Sequence, residues 1–134
     1  MSTTQPIRSK QLLHDFKDYY LTKQSHFRKY TLILIGLNTA LRINDILHLT
    51  WGDVYCTEHS RFYTHLLITE KKTEKETRIL INRELQETLL SYRKTQSFVA
   101  DTDYLFPSPR KADSPLSRYQ PYRIVRKAAE AVGI

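Results

Sequence analysis

Arg42 and Asp45 are the residues of this chain whose types and spacing most clearly suggest chemistry. They sit in GLNTALRINDILHLTWGDV, residues 36–54, after an apolar run TLILIGL and a small-residue turn, Asn38-Thr39-Ala40. The pattern starts a helix at about Arg42. The first turn of a helix carries partial positive charge from its unsatisfied N–H groups, so a cation there is mildly unfavourable. Such a cation is either tethered by an acid or kept for an anionic ligand. Asp45 lies one helical turn on, where it can hold the guanidinium while the remaining donors face outward. A planar cation with fixed donors suits a phosphate or a carboxylate. The same two residues also fit an ordinary surface ion pair on a core helix.

A second basic feature is the segment Glu70-Lys71-Lys72-Thr73-Glu74-Lys75. It separates two β-branched, apolar stretches, 62–69 and 76–81, and this is the pattern of a β-hairpin with a charged tip. Lysines at such a tip also discourage edge pairing without any further role.

Positioning these groups requires a mostly helical frame. Residues 1–8 read as a disordered lead. Ser9 can cap a helix to about Lys23, with Leu12, Leu13, Phe16 and Tyr20 on one face. A second helix, from about Ser25 to Thr39, carries Phe27, Tyr30, Leu34 and Leu37 as its core stripe. It is apolar nearly all round after Tyr30, which predicts burial. The short Arg42 helix turns Ile43, Ile46 and Leu47 inward and ends at Trp51-Gly52-Asp53. Beyond the hairpin, Asn82 or Arg83 starts a helix to about Lys94 with Leu85, Leu89, Leu90 and Tyr92 inward. The loop Tyr104-Leu105-Phe106-Pro107-Ser108-Pro109 is anchored to the core by its aromatic pair. A last helix starts at Ser117 or Pro121 and stops at Gly133. The expected class is α+β, with helices around a small antiparallel hairpin, in one domain.

Formal charge is +7 and the isoelectric point about 9.6, pointing to a polyanionic partner. Arg110 to Lys127 concentrates this charge, since Asp113 is its only acid. One cysteine, Cys56, excludes an internal disulfide and fits a reducing compartment. The run from Leu32 to Leu37 is too short to span a bilayer, and MSTTQPIRSK lacks the apolar core of a secretory signal. A soluble, cytoplasmic chain with no membrane partner is expected. No metal-ligand spacing is visible.

Asn38-Thr39-Ala40-Leu41-Arg42, Asp45, Leu47, Leu49-Thr50-Trp51 and Asp53-Val54 together resemble the first catalytic box of the tyrosine recombinase (phage integrase) family, with Ala40 where that box usually has glycine. The order of helices, hairpin and helices is similar too. The resemblance implies DNA strand cleavage through a 3′-phosphotyrosine, without metal or cofactor. Arg42 would clamp the non-bridging phosphate oxygens, supported by Asp45. Lys72 would protonate the leaving 5′ oxygen, with Lys71 the competing candidate. Lys71, Lys75, Arg118, Arg123, Arg126 and Lys127 would meet duplex DNA. The family's His-x-x-Arg box finds no match, because none of His14, His26, His48, His59 and His65 has arginine three residues later. None of the nine tyrosines lies in the nucleophile's position. Tyr119 and Tyr122, the latest, are expected to pack against the core or beside phosphate. The expectation is therefore an incomplete integrase-type catalytic domain over residues 9–134, inactive alone but DNA-binding. Apolar surface near Leu32–Leu47 would then be exposed and could drive homo-oligomerisation. A non-enzymatic helix-turn-helix module, reading bases through Asn44 and His48, is the alternative.

Overall fold

The computed structural model describes residues 10–23, 26–69, 73–96, 99–111 and 113–133. The helix that positions everything else is α2 (Phe27–Thr39). Its residues from Tyr30 to Ile35 are all buried, as a run apolar on every side requires. Gly36 and Leu37 are exposed, whereas Thr39 is buried again. Leu37, expected in the core stripe, is 47% exposed and so lies on the solvent side of the last turn of α2.

Before it, α1 (Lys10–Asp18) runs into a π-helical turn, Tyr19–Lys23, in place of the uninterrupted α-helix expected. A wider turn brings successive side chains closer in azimuth, and both Tyr19 and Tyr20 are buried. The Tyr20 hydroxyl donates to the Ile124 carbonyl at 2.8 Å. Phe16 is buried as expected, but Leu13 is exposed. Ser9 and Ser25 lie outside the described residues. His26 caps α2, its Nδ1 accepting from the Lys29 N–H at 3.4 Å.

After α2 come α3 (Ile43–Leu47) and α4 (Trp51–Val54). Trp51-Gly52-Asp53 therefore opens a helix where a stop was expected. The Thr50 N–H donates to Asp53 Oδ2 at 2.8 Å, and the Asp53 N–H returns to the Thr50 side chain, closing a capping box. This reciprocal cap outweighs the low helix propensity of Gly52.

Two small antiparallel sheets follow, where a single hairpin was expected. In one, β1 (Tyr55–Cys56) pairs with β2 (Arg61–Phe62). In the other, β3 (His65–Thr69) pairs with β4 (Glu76–Leu80), in register from His65 against Leu80 to Thr69 against Glu76. Phe62 thus belongs to a different sheet from His65. Leu66 faces the core, while Leu67 and Leu80 lie on the outer face.

Helix α5 (Arg83–Lys94) is capped by Asn82, whose Oδ1 accepts from the Leu85 N–H at 2.9 Å. It packs on α2 through buried Leu85, Leu89 and Tyr92, but Leu90 points outward. Tyr92 lies 5.2 Å from the Trp51 ring and stacks on Phe106. Its hydroxyl bonds the Leu105 carbonyl and accepts from Arg28 Nε. Leu105 and Phe106 are fully buried and anchor the 104–109 segment, whereas Tyr104, the other member of the expected aromatic pair, is only half-buried. The last helix, α6 (Tyr119–Ala131), starts between the two expected positions. Ser117 Oγ accepts from the Tyr119 N–H, and Gly133 follows the helix with φ +84°. No helix among the described residues is long and apolar enough to cross a membrane.

Candidate functional site

The site is built around the junction of α2 and α3. The end of α2 is fixed from its own side chains. Asn38 Nδ2 donates to the Leu34 carbonyl at 2.9 Å and Thr39 Oγ1 to the Ile35 carbonyl at 2.7 Å. Asn82 Nδ2 donates to Asn38 Oδ1 at 2.7 Å, joining the end of α2 to the cap of α5. The chain then reverses at Ala40, which adopts the left-handed conformation (φ 55°, ψ 21°) usual for a helix-ending glycine. Beneath α3, the Leu105 N–H donates to the Leu49 carbonyl, and Trp51 N–H to the Asp103 carbonyl. The buried pair Ile46 and Leu47 pins α3 to the core.

Arg42 emerges from this junction at the N-cap of α3, exposed, with extended backbone (φ −69°, ψ 147°). Its carbonyl accepts from the Asp45 and Ile46 N–H groups. The expected ion pair with Asp45 is not formed; among the described residues Arg42 has no side-chain partner. The reason is local. A residue with extended dihedrals does not project its side chain along the helical i to i+3 row that the pairing rule assumes. Arg42 is thus a cation held by its backbone, with no side-chain donor engaged among the described residues.

The β3–β4 register leaves residues 70–75 as the connection at the hairpin tip. Lys71 and Lys72 lie outside the described residues. Lys75 is exposed, and its N–H donates to Thr73 Oγ1 after Glu74 at φ 56°.

On α6 the buried residues are Pro121, Ile124 and Ala128. At 100° per residue, Tyr119, Tyr122, Arg123 and Arg126 fall together on the opposite face. Tyr119 and Tyr122 are 76% and 70% exposed, so neither packs in the core. Their prominence among the arginines is the feature sequence reasoning missed, although the spacing of Pro121, Ile124 and Ala128 carried the signal. Arg118 stands exposed at the N-cap, and exposed Lys127 flanks the face. Arg126 is engaged, its Nε 3.0 Å from Glu130 Oε1. Exposed aromatics interleaved with guanidinium groups can stack on bases or sugars while cations meet phosphates.

Asn44 and His48 are exposed, but α3 has only five residues and His48 Nδ1 lies 2.7 Å from the Asn44 carbonyl. This is too short and too self-engaged for a recognition helix. No group of acids, histidines or cysteine fit to hold a metal occurs among the described residues.

The phage integrase family model matches residues 5–134. A curated relative, the probable integrase/recombinase YoeC of Bacillus subtilis, is 41% identical over 134 residues, all of this chain and 67% of that one. Among solved structures, XerA recombinase matches with a TM-score of 0.72 at 20% identity, over all of this chain and 45% of its own. The Tn1549 transposon integrase in complex with circular intermediate DNA matches at 0.61 and 19% identity, over 97% of this chain and 47% of its own. A lambda integrase dimer bound to a COC′ core site matches at 0.60 and 18% identity, over 100% and 37%. This chain thus spans less than half of the solved recombinases it resembles in fold. With its family model matched over nearly the whole length, the chain belongs to the phage integrase family.

Proposed function

We propose that this chain carries the phosphate-clamping and proton-donating half of a tyrosine recombinase site for site-specific DNA integration or recombination. The observation that carries the reading is Arg42, exposed and unpaired among the described residues yet held by a junction hydrogen-bonded to three other segments. Arg42 neutralises charge developing on the non-bridging oxygens as the phosphodiester is attacked. Asp45 supports it through the α3 backbone rather than by an ion pair. Lys72, with Lys71 as the alternative, delivers the proton to the leaving 5′ oxygen. Lys75, Arg118, Arg123, Arg126 and Lys127 bind the backbone of double-stranded DNA, with little base readout. The chain acts in the cytoplasm, and its apolar surface beyond Ile35, where Leu37 is exposed, is the candidate contact for a second copy.

The test is strand cleavage of a nicked duplex by this chain joined to the remainder of a recombinase catalytic domain, which supplies the nucleophilic tyrosine, read as a covalent protein–DNA adduct. Arg42→Ala should lower adduct formation by roughly 10² to 10³ while changing duplex affinity little. Lys72→Ala should be restored by a 5′-bridging sulfur leaving group, which needs no proton. Undiminished adduct in Arg42→Ala would refute the assignment. A large loss of sequence preference in that variant would favour the helix-turn-helix reading.

A further inference from the structure

The opposite end of α2 carries a second cluster that the recombination chemistry does not use. His26 caps the helix, and Arg28 and Lys29 occupy its first turn, which contains no acid. Two cations beside a positive helix end are unfavourable in isolation. Among the described residues Arg28 uses a single side-chain donor, Nε on the Tyr92 hydroxyl. Lys29 Nζ lies 5.4 Å from the Tyr20 ring centroid. Two cavities meet at these residues. One, of about 300 Å³, lies towards Tyr92 and Gln96. The other, of about 210 Å³, is floored by Leu32, Phe106, Leu116 and Ile124 and rimmed by His26, Arg28, Lys29 and Gln120.

From this arrangement we infer that the cleft between the first turns of α2 and α6 is a docking site for an acidic peptide segment of another protein. One large apolar side chain of that segment enters the smaller cavity, and flanking carboxylates meet Arg28 and Lys29. The apolar floor argues against a nucleic-acid backbone, because phosphate gains nothing from surface without donors. The chain's net charge of +7 disfavours a second copy on a basic rim. An anchor side chain in a pocket with complementary charges around it is how short peptides reach specificity. The thirteen residues of α2 separate this cleft from Arg42 by about 20 Å, so the segment binds without occupying the phosphate site.

The experiment is selection of randomised dodecapeptides displayed on phage against the protein, followed by affinities of the synthetic peptides. Enriched peptides should place Leu, Ile or Phe next to Asp or Glu. Their affinity should fall about tenfold in the double variant Lys29→Glu/Gln120→Glu, two polar rim positions outside the core. Leu116→Phe, which narrows the cavity without changing charge, should weaken the same peptides, as should Ser in place of the apolar anchor. Thermal melting checks that each variant is folded. Enrichment without the acid–apolar pairing would overturn the inference. So would unchanged affinity in the folded variants, or equal binding by the Ser peptide, which would mean charge attraction alone.

Discussion

Glu130→Gln is the most informative perturbation of the proposed duplex face. Arg126 lies in the middle of the exposed α6 face but is tied to Glu130 at 3.0 Å. Both partners are well exposed, and arginine precedes the acid, the weaker order for such a pair. Glu130 also sits near the C-terminal end of α6, where a negative charge is disfavoured by the helix dipole. Removing its charge should therefore cost little stability and release Arg126 for a phosphate. If Lys75, Arg118 and Arg123 each neutralise one phosphate, the slope of log affinity against log salt is roughly −2.7. Affinity then falls by roughly 40-fold between 50 and 200 mM salt. One added contact steepens the slope to roughly −3.6 and tightens binding by up to about eightfold at 100 mM. Fluorescence anisotropy of a labelled duplex over a salt series measures both quantities. Glu130→Gln combined with Arg126→Ala should restore the original slope. An unchanged slope in Glu130→Gln, with helix content intact, would mean that this face of α6 does not meet the duplex.

Three further outcomes concern the frame. Ala40→Gly should raise stability by about 1 kcal/mol, because a left-handed alanine costs about 1–2 kcal/mol and the greater freedom of unfolded glycine offsets part of that; a thermal melt reads it as a rise of a few degrees. Gly52→Ala should destabilise by about 1–3 kcal/mol, since a Cβ there would lie 3.0 Å from the Asp101 carbonyl oxygen, which also accepts the Gly52 N–H; a denaturation midpoint unchanged from the parent would contradict it. Burial, reinforced by Lys29 and Arg28, holds His26 below its ordinary pKa of 6.5. The unfolded chain then binds the proton more readily, so this contribution is complete above pH 6.5 and is lost as pH falls through the lowered folded value. His26→Asn, which retains a side-chain cap, should flatten the melting temperature between about pH 7 and 5.

How far the chain could be read in advance depended on whether a signal was local. Burial of Tyr30 and Leu34 on α2 and of Leu85, Leu89 and Tyr92 on α5 rests on periodicity, and the structure agrees with it, whereas Leu37 and Leu90 of the same expected rows are exposed. The misreadings rest on tertiary context. Gly52 looked like a helix stop because propensity penalises glycine, yet the approach of Asp101 makes glycine the residue that fits. The Thr50–Asp53 spacing that signalled a cap instead of a stop was present but outweighed. Phe62 seemed continuous with His65 because both flank β-forming residues, and only the pairing of Arg61 with Cys56 separates the two sheets. For the site, Arg42 and its junction were legible, but the Asp45 tether was not formed, since pairing rules hold inside a helix and Arg42 stands at its edge.

That edge position also bears on what Arg42 can do. An exposed arginine surrenders up to about 2 kcal/mol of rotamer freedom when it is fixed, and no partner among the described residues fixes the guanidinium. The fold instead fixes its origin. The Asn38–Asn82 bond, the Thr39 hydroxyl on Ile35 and the Leu105–Leu49 bond together leave the Cα of Arg42 little room to move. The direction of the side chain is thereby set, while its final ordering is left to the ligand. A ligand that supplies only one charge recovers little of that ordering cost, whereas a phosphate presenting two oxygens to the fork recovers more through paired hydrogen bonds. The discrimination grows as charge builds on those oxygens during attack. On this account Arg42→Lys retains the charge but not the fork, and it should behave like Arg42→Ala in strand cleavage while leaving duplex affinity and its salt dependence unchanged. Cleavage by Arg42→Lys at the parent rate would show that charge alone suffices and that the geometry of the junction is not what the chemistry uses.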